Sequence, residues 1–292
     1  MSWLLYRWVW QLEAPLSIGM PPAGTLNRCR LYVPARAVWG AMTAELARND
    51  SNDFPKYTEL GEKLRKQARL TYLFPAELSE DRFVPWLPIF KRGNGLVWQR
   101  ETRECMPDRV FRSWLLDTRP GTAIDPTADA AAEGSLRETE CIGPFWRPAA
   151  DEQPSPVGLV GYVFCRSEEI AREISKIDLL FLGGDTRYGL GRVRRVNWSE
   201  ASDVFGTKPS LEANTPCISS GVVLAHALRN NSDNTMVGAL ECLAGWDRAG
   251  TDGLAELDDK LFWIPGSTIS NGAKAKWEIS ESGFWHYPPQ SP

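Results

Sequence analysis

Residues 183–191 read Gly-Gly-Asp-Thr-Arg-Tyr-Gly-Leu-Gly, and the chemistry they offer is phosphate binding. Glycines at 183, 184, 189 and 191 permit positive φ and let a ligand approach the backbone without meeting a Cβ. Successive bare N–H groups can form an anion nest. Thr186 adds a hydroxyl, and Tyr188 offers a flat face for a base. Arg187, Arg192, Arg194 and Arg195 follow closely and can pair with phosphates bidentately. Two nucleotide motifs are excluded. There is no Gly-Lys-Ser/Thr, so this is not a P-loop, and Val193–Trp198 alternates like a strand rather than opening a dinucleotide-binding helix. Two readings stand on pattern alone: a phosphate platform, or a tight turn with solvated arginines.

Other chemistry is thinly supplied. With two histidines, His226 and His286, neither a Ser/His/Asp triad nor a zinc site has the groups it needs. His226 lies in the apolar run GVVLAHAL and reads as a satisfied core residue, while His286 reads as exposed near the end. Cysteines at 29, 105, 141, 165, 217 and 242 form no CxxC pair, which fits a reducing cytoplasm. Asp50 and Asp53 read as a solvated helix end. Asp125 is expected to make a turn hydrogen bond, and Asp185 to accept loop amides. No metal and no cofactor is expected.

The 292 residues carry a net charge of −4, which argues against a general electrostatic grip on nucleic acid. The distribution is uneven. Residues 1–120 hold 18 Lys and Arg against 13 Asp and Glu, and residues 121–292 hold 15 against 24. The acidic second half suggests a protein neighbour or a soluble surface. Thirteen tryptophans exceed what stacking on a ligand could use, so most belong to a core, Trp3, Trp8 and Trp10 among them.

The elements that must position the glycine turn can be read in order. Residues 3–12 form a buried strand that is too short, and too interrupted by Arg7, to span a membrane. A loop runs from Pro15 to Arg30. Val38, Met42 and Leu46 mark a helix over 35–48, and a polar helix covers 57–70. Leu70–Phe74 is a strand, and Pro85–Trp114 is irregular and Arg-rich. Arg100, Arg103, Arg109, Arg112 and Arg119 read as a solvated face or as part of an RNA groove. Residues 118–142 read as a β-hairpin arm, and 148–156 as a proline-rich connection. Val157–Cys165 is a strand, followed by a helix capped by Ser167. Strands 179–182 and 192–198 flank the glycine turn. Beyond it, 217–229 and 235–244 are expected to pair through a turn at Asn230–Asn234, with a helix over 222–229 as the alternative. A final β-rich stretch covers 261–267 and 274–286.

In this order the sequence resembles the RAMP superfamily of CRISPR subunits. The resemblance rests on Pro15-Leu16-Ser17-Ile18-Gly19, on Tyr32-Val33-Pro34 through Trp39-Gly40-Ala41, on Thr122–Asp125 through Glu133–Leu136 with Glu140, and on Phe181-Leu182-Gly183 through Arg192-Val193. It covers roughly residues 1–198. It implies an α+β fold, an RRM-like (ferredoxin-like) domain over 1–198 with a protruding β-hairpin thumb at about 118–142. A smaller β-rich part over 199–292 follows, for which a degenerate second RRM-like unit is one expectation. It also implies a cytoplasmic ribonucleoprotein subunit, with guide RNA, target RNA reached through the guide, and other effector subunits as partners, and no membrane. Gly183, Gly184, Thr186, Arg187, Tyr188, Gly189, Gly191, Arg192, Arg194, Arg36 and Trp39 would then contact RNA, and Thr122, Ile124, Asp125 and Leu136 would belong to the thumb. Relatives that cut target RNA carry an aspartate in the loop after the first strand. Pro15–Arg30 holds no acid, which points to a non-catalytic subunit capping the guide's 5′ handle. The alternatives are a backbone subunit tiling the guide and a guide-processing endoribonuclease.

Overall fold

The computed structural model describes residues 2–49, 55–101, 104–147, 153–229, 236–243, 245–246, 254–255 and 261–287. Strand β1 (Leu4–Leu12) leads through a loop to helices α1 (Ala35–Asn49) and α2 (Tyr57–Gln67). Strands β2 (Ala68–Leu70), β3 (Phe74–Ser79) and β4 (Arg82–Pro85) follow. Helix α3 (Asp108–Leu115) runs directly into β5 (Leu116–Gly121), which returns as β6 (Arg137–Ile142). Strand β7 (Val157–Cys165), helix α4 (Glu168–Ile174) and strands β8 (Leu179–Phe181) and β9 (Arg192–Glu200) complete the first part.

One antiparallel sheet organises these elements in the order β8-β9-β1-β7-β3-β4, with β2 also on β7. The centre falls where the sequence is most apolar. All nine residues of β7 are buried, and β1 pairs with it at Val9↔Val160. A bulge between Val9 and Trp10 adjusts the pairing of β1 with β9. Trp8 packs edge-on against Trp10 and Trp198, and Tyr6 stacks on Trp198 at 4.8 Å. Val9, Ala76, Phe83 and Val160 form a second small cluster under Phe205. Helix α1 buries Val38 and Met42 at the expected spacing, and packs on α2, β2 and β8. The Ser167 hydroxyl caps α4 by accepting the Ile170 amide at 3.4 Å.

Residues 118–142 do form a β-hairpin. β5 and β6 pair from Leu116↔Ile142 to Gly121↔Arg137, and Ile124–Asp125 pairs with Ala130–Ala131 at the tip. Four expectations fail, the first over 57–74, where α2 stops at Gln67, β2 ends at Leu70 and β3 begins only at Phe74. The described residues of 85–114 form regular elements, strands Leu87–Lys91, Gly95–Gln99 and Cys105–Pro107 followed by α3. Among the described residues, segments 217–229 and 235–244 do not pair with each other, nor is 222–229 helical. Cys217–Ser220 pairs with Ala275–Ile279, while Ala227–Leu228 and Leu240–Cys242 both pair with Leu261–Trp263. Distant strands offer larger apolar faces than the local partner does. His286 is half-buried in a short strand, not exposed. Asp50, Asp53, Arg103 and the Asn230–Asn234 turn lie outside the described residues.

Among the described residues there are four α-helices, all before β9. The strands beyond β9 build a second sheet whose Ile218, Ala227, Trp277 and Trp285 join the main hydrophobic core. No helix among the described residues is long and apolar enough to cross a membrane.

Candidate nucleic-acid interface

The glycine turn links two paired strands, so its ends are fixed before its middle is considered. Leu182 N–H donates to the Gly191 carbonyl at 2.8 Å and closes the turn. The turn then docks on the loop after β1. Gly184 N–H donates to Ser17 O at 2.9 Å, and Gly191 N–H to Pro15 O at 2.7 Å. One glycine answers to this docking and another to the closure of the turn on itself. A Cβ on Gly183 would stand 2.2 Å from Ser17 O, and one on Gly191 2.0 Å from Leu182 O. Both have positive φ, +78° and +83°.

Docking also uses up amides. Tyr188 and Leu190 N–H groups donate to the Asp185 carbonyl, and Gly189 N–H to Thr186 O. The amides of Asp185, Thr186 and Arg187 carry no hydrogen bond among the described residues. The nest is therefore smaller than the glycine count implies. Asp185 also acts differently from expectation: its carbonyl, not its carboxylate, accepts the loop amides, and its backbone is left-handed at φ 55°.

Beside the turn lies an open cleft of about 780 Å³. One wall is Gly183, Gly184, Thr186 and Arg187, with Phe181 at the end of β8. The loop after β1 supplies Ile18 and Gly19, and α1 supplies Ala37, Gly40, Ala41, Ala44 and Arg48. Tyr57 of α2 closes it. The fold thus brings three separate sequence motifs to one surface. Ile18, Arg48, Tyr57 and Phe181 were not singled out as site residues by sequence reasoning. The signal that could have found them is the run of small residues on one face of α1, which leaves a void instead of filling a core.

The arginines divide sharply. Arg187 lines the cleft and forms no ion pair among the described residues. Arg192 and Arg194 both engage Glu13, at 2.8 and 2.5 Å. The Arg194 hydrogen bond, more than any other contact, holds the Glu13 carboxyl below its usual range. Arg195 closes the C-terminus of α4 by donating to Ser175 O at 2.5 Å. Tyr188 is 68% exposed, and the Arg137 guanidinium of β6 sits 4.7 Å from its ring centroid. The hairpin arm is thereby latched to the glycine turn.

Of the residues expected to contact RNA, Gly183, Gly184, Thr186 and Arg187 line the cleft, while Tyr188, Gly189, Gly191, Arg192, Arg194, Trp39 and Arg36 do not. The Trp39 indole N–H donates to Gly61 O at 3.0 Å, and Arg65 covers the ring at 4.7 Å, so Trp39 clamps α1 to α2. Arg36 is half-buried on α1 outside the lining. On the arm, Ile124 and Leu136 are each 62% exposed, and the Thr122 hydroxyl meets Ser135 at 2.6 Å. Asp125 accepts Thr127 N–H and O–H, at 2.8 and 2.7 Å, which is the expected turn. Within the Arg-rich stretch, Arg100 pairs with Glu77 and Arg112 with Asp108.

His226 is a buried core residue. The Tyr72 hydroxyl lies 2.6 Å from Nδ1, and Nε2 contacts Glu241, which binds Arg30 at 2.7 Å. Burial lowers the His226 pKa below its ordinary value and outweighs the opposing pull of Glu241. Tyr72 O–H then donates to Nδ1, and Nε2–H donates to Glu241. Arg30 Nε in turn donates to Gly19 O at 3.2 Å, so this network reaches the cleft wall.

No protein-family model matches the chain, and no curated protein is detectably similar to it. Its structure is similar to a chain of the Type III-B Cmr-beta cryo-EM structure bound to cognate target RNA and AMPPnP. The TM-score is 0.56 at 14% identity, over 90% of this chain and 85% of that one. A chain of the same system bound to cognate target RNA gives 0.54 at 13% identity, over 91% and 86%. At these identities the likeness is one of fold.

Proposed function

We propose that this chain is a non-catalytic, guide-RNA-binding subunit of a type III-like CRISPR effector that caps the 5′ handle of the guide. The observation that carries this reading is the cleft where the loop after β1, helix α1 and the glycine turn converge. Arg187 and the unbonded amides of residues 185–187 offer phosphate contacts at its edge. The sheet order β9-β1-β7-β3, with α1 and α4 in the crossovers, is the order expected of an RRM-like domain and supports the RAMP reading. The β5–β6 hairpin is read as the thumb, with Ile124 and Leu136 exposed for contact with bases. The neighbours' fold adds support, since those chains belong to an RNA-bound Cmr-beta.

The non-catalytic role rests on chemistry in reach of the cleft. No acid lies between Pro15 and Arg30, and His226 is locked in the core. The acidic residues beyond 120 suit neighbouring subunits that share the RNA. The test is reconstitution with guide RNA and the other subunits of its complex, with copy number read by native mass spectrometry. One copy per guide at the handle end supports the cap. Several copies along the guide, or cleavage of bound RNA by the purified chain, overturn it.

A further inference from the structure

The floor and the rim of the cleft favour different parts of a nucleotide. Ala37, Gly40, Ala41 and Ala44 present a trough of methyl groups and bare helix backbone, and Ile18 extends it. Phe181 and Tyr57 border the trough, each 37% exposed. Arg48 is fixed beside them, paired with Glu45 at 2.5 Å and 6.0 Å from the Phe181 ring centroid. Arg187 stands at the mouth, and among the described residues no carboxylate lines the cleft.

A phosphate lying on this floor would lose water to methyl groups and find a donor only in Arg48 at the border. A nucleobase would lose little, because its faces are satisfied by aromatic rings, methyl groups and a stacked guanidinium. The cleft of about 780 Å³ has room for one base with its ribose. We propose that it receives a single unstacked nucleobase of the bound RNA, while Arg187 and the amides of residues 185–187 hold the flanking phosphate. The proposal rests on the RNA-binding reading and adds a base subsite to it. The pocket recognises a base by its face, so it accepts all four with modest preference.

Gly40 supplies the test, because a Cβ there meets nothing within 4 Å. Gly40→Leu therefore puts apolar volume into the trough from a Cβ that meets no neighbour, and it favours the helix. The probe is a set of short fluorescein-labelled single-stranded RNAs, one intact and the others with one abasic ribose at successive positions, read by anisotropy. Wild-type full-length chain is expected to lose about tenfold to a hundredfold in affinity for one position of the series. Gly40→Leu is expected to bind the intact RNA about as weakly as wild type binds that abasic RNA, with no further loss on removing the base. Thermal unfolding checks that the variant is folded. If wild type binds every abasic RNA as tightly as the intact one, or Gly40→Leu leaves intact affinity unchanged, the base subsite is wrong while RNA binding stands. If no RNA binds at all, both fall.

Discussion

Gly189 and Gly191 offer a controlled pair of substitutions in one turn. Their φ angles are nearly the same, +84° and +83°, but a Cβ at Gly189 meets nothing within 4 Å, whereas one at Gly191 would lie 2.0 Å from Leu182 O. Gly189→Ala therefore costs only left-handed strain, about 1 kcal/mol. Gly191→Ala adds a collision with backbone that cannot yield by rotating a side chain. It also threatens the Gly191 N–H bond to Pro15 and the Leu182 bond to Gly191. Strain, overpacking and a weakened hydrogen bond together give about 3–5 kcal/mol. For a chain of this size that lowers Tm by about 6–20 °C, against about 2–4 °C for Gly189→Ala. Differential scanning calorimetry, backed by urea midpoints, measures both. Equal losses in the two variants would refute the close packing of Gly191 against the Leu182 backbone that closes the glycine turn.

Two further outcomes follow from the buried network. Above the ordinary His value of 6.5, His226 is neutral in both folded and unfolded chains, and its contribution to stability is complete. As pH falls below 6.5 the unfolded chain binds a proton that the folded chain resists, so stability declines until the folded histidine titrates. Urea unfolding from about pH 7.5 to about pH 5.5 should show this decline, flattened in His226→Gln, and rising stability on acidification would contradict it. Glu241→Gln strands Arg30 with much less compensation and should cost about 2–4 kcal/mol, less than for a fully buried pair because both groups keep some solvent contact. A loss below about 1 kcal/mol in urea unfolding would show that Arg30 finds other partners.

How much of this was legible beforehand depended on where the information lay along the chain. The strands β1 and β7 and the helix α1 announced themselves because their burial patterns are local and continuous. The hairpin arm was readable from its weak apolar content between turn residues. Helix α3 was not: it has only eight residues, and Arg109 and Arg112 interrupt the pattern that buries Phe111 and Leu115. The short strands beyond β9 take partners tens of residues away, which local sequence does not encode.

The site divides in the same way. The glycines were visible as a motif, but their amides proved largely committed to docking. Arg192 and Arg194 looked available until the fold brought Glu13 to them from 181 residues away in the case of Arg194. Trp39 looked like a stacking face because nothing local reveals that Gly61 of α2 receives its indole. The cleft itself was hidden because small residues on a helix read as spacing, and only the tertiary structure shows them bordering open space.

On the proposed function, RNA phosphates engage the glycine turn through Arg187. The most direct measurement is the affinity of wild type and Arg187→Glu for 5′-handle RNA across a salt series. The account predicts wild-type affinity that falls linearly on a log–log plot, with Arg187→Glu weaker and its slope shallower by about one unit. Equal affinities and equal slopes for the two proteins would contradict it.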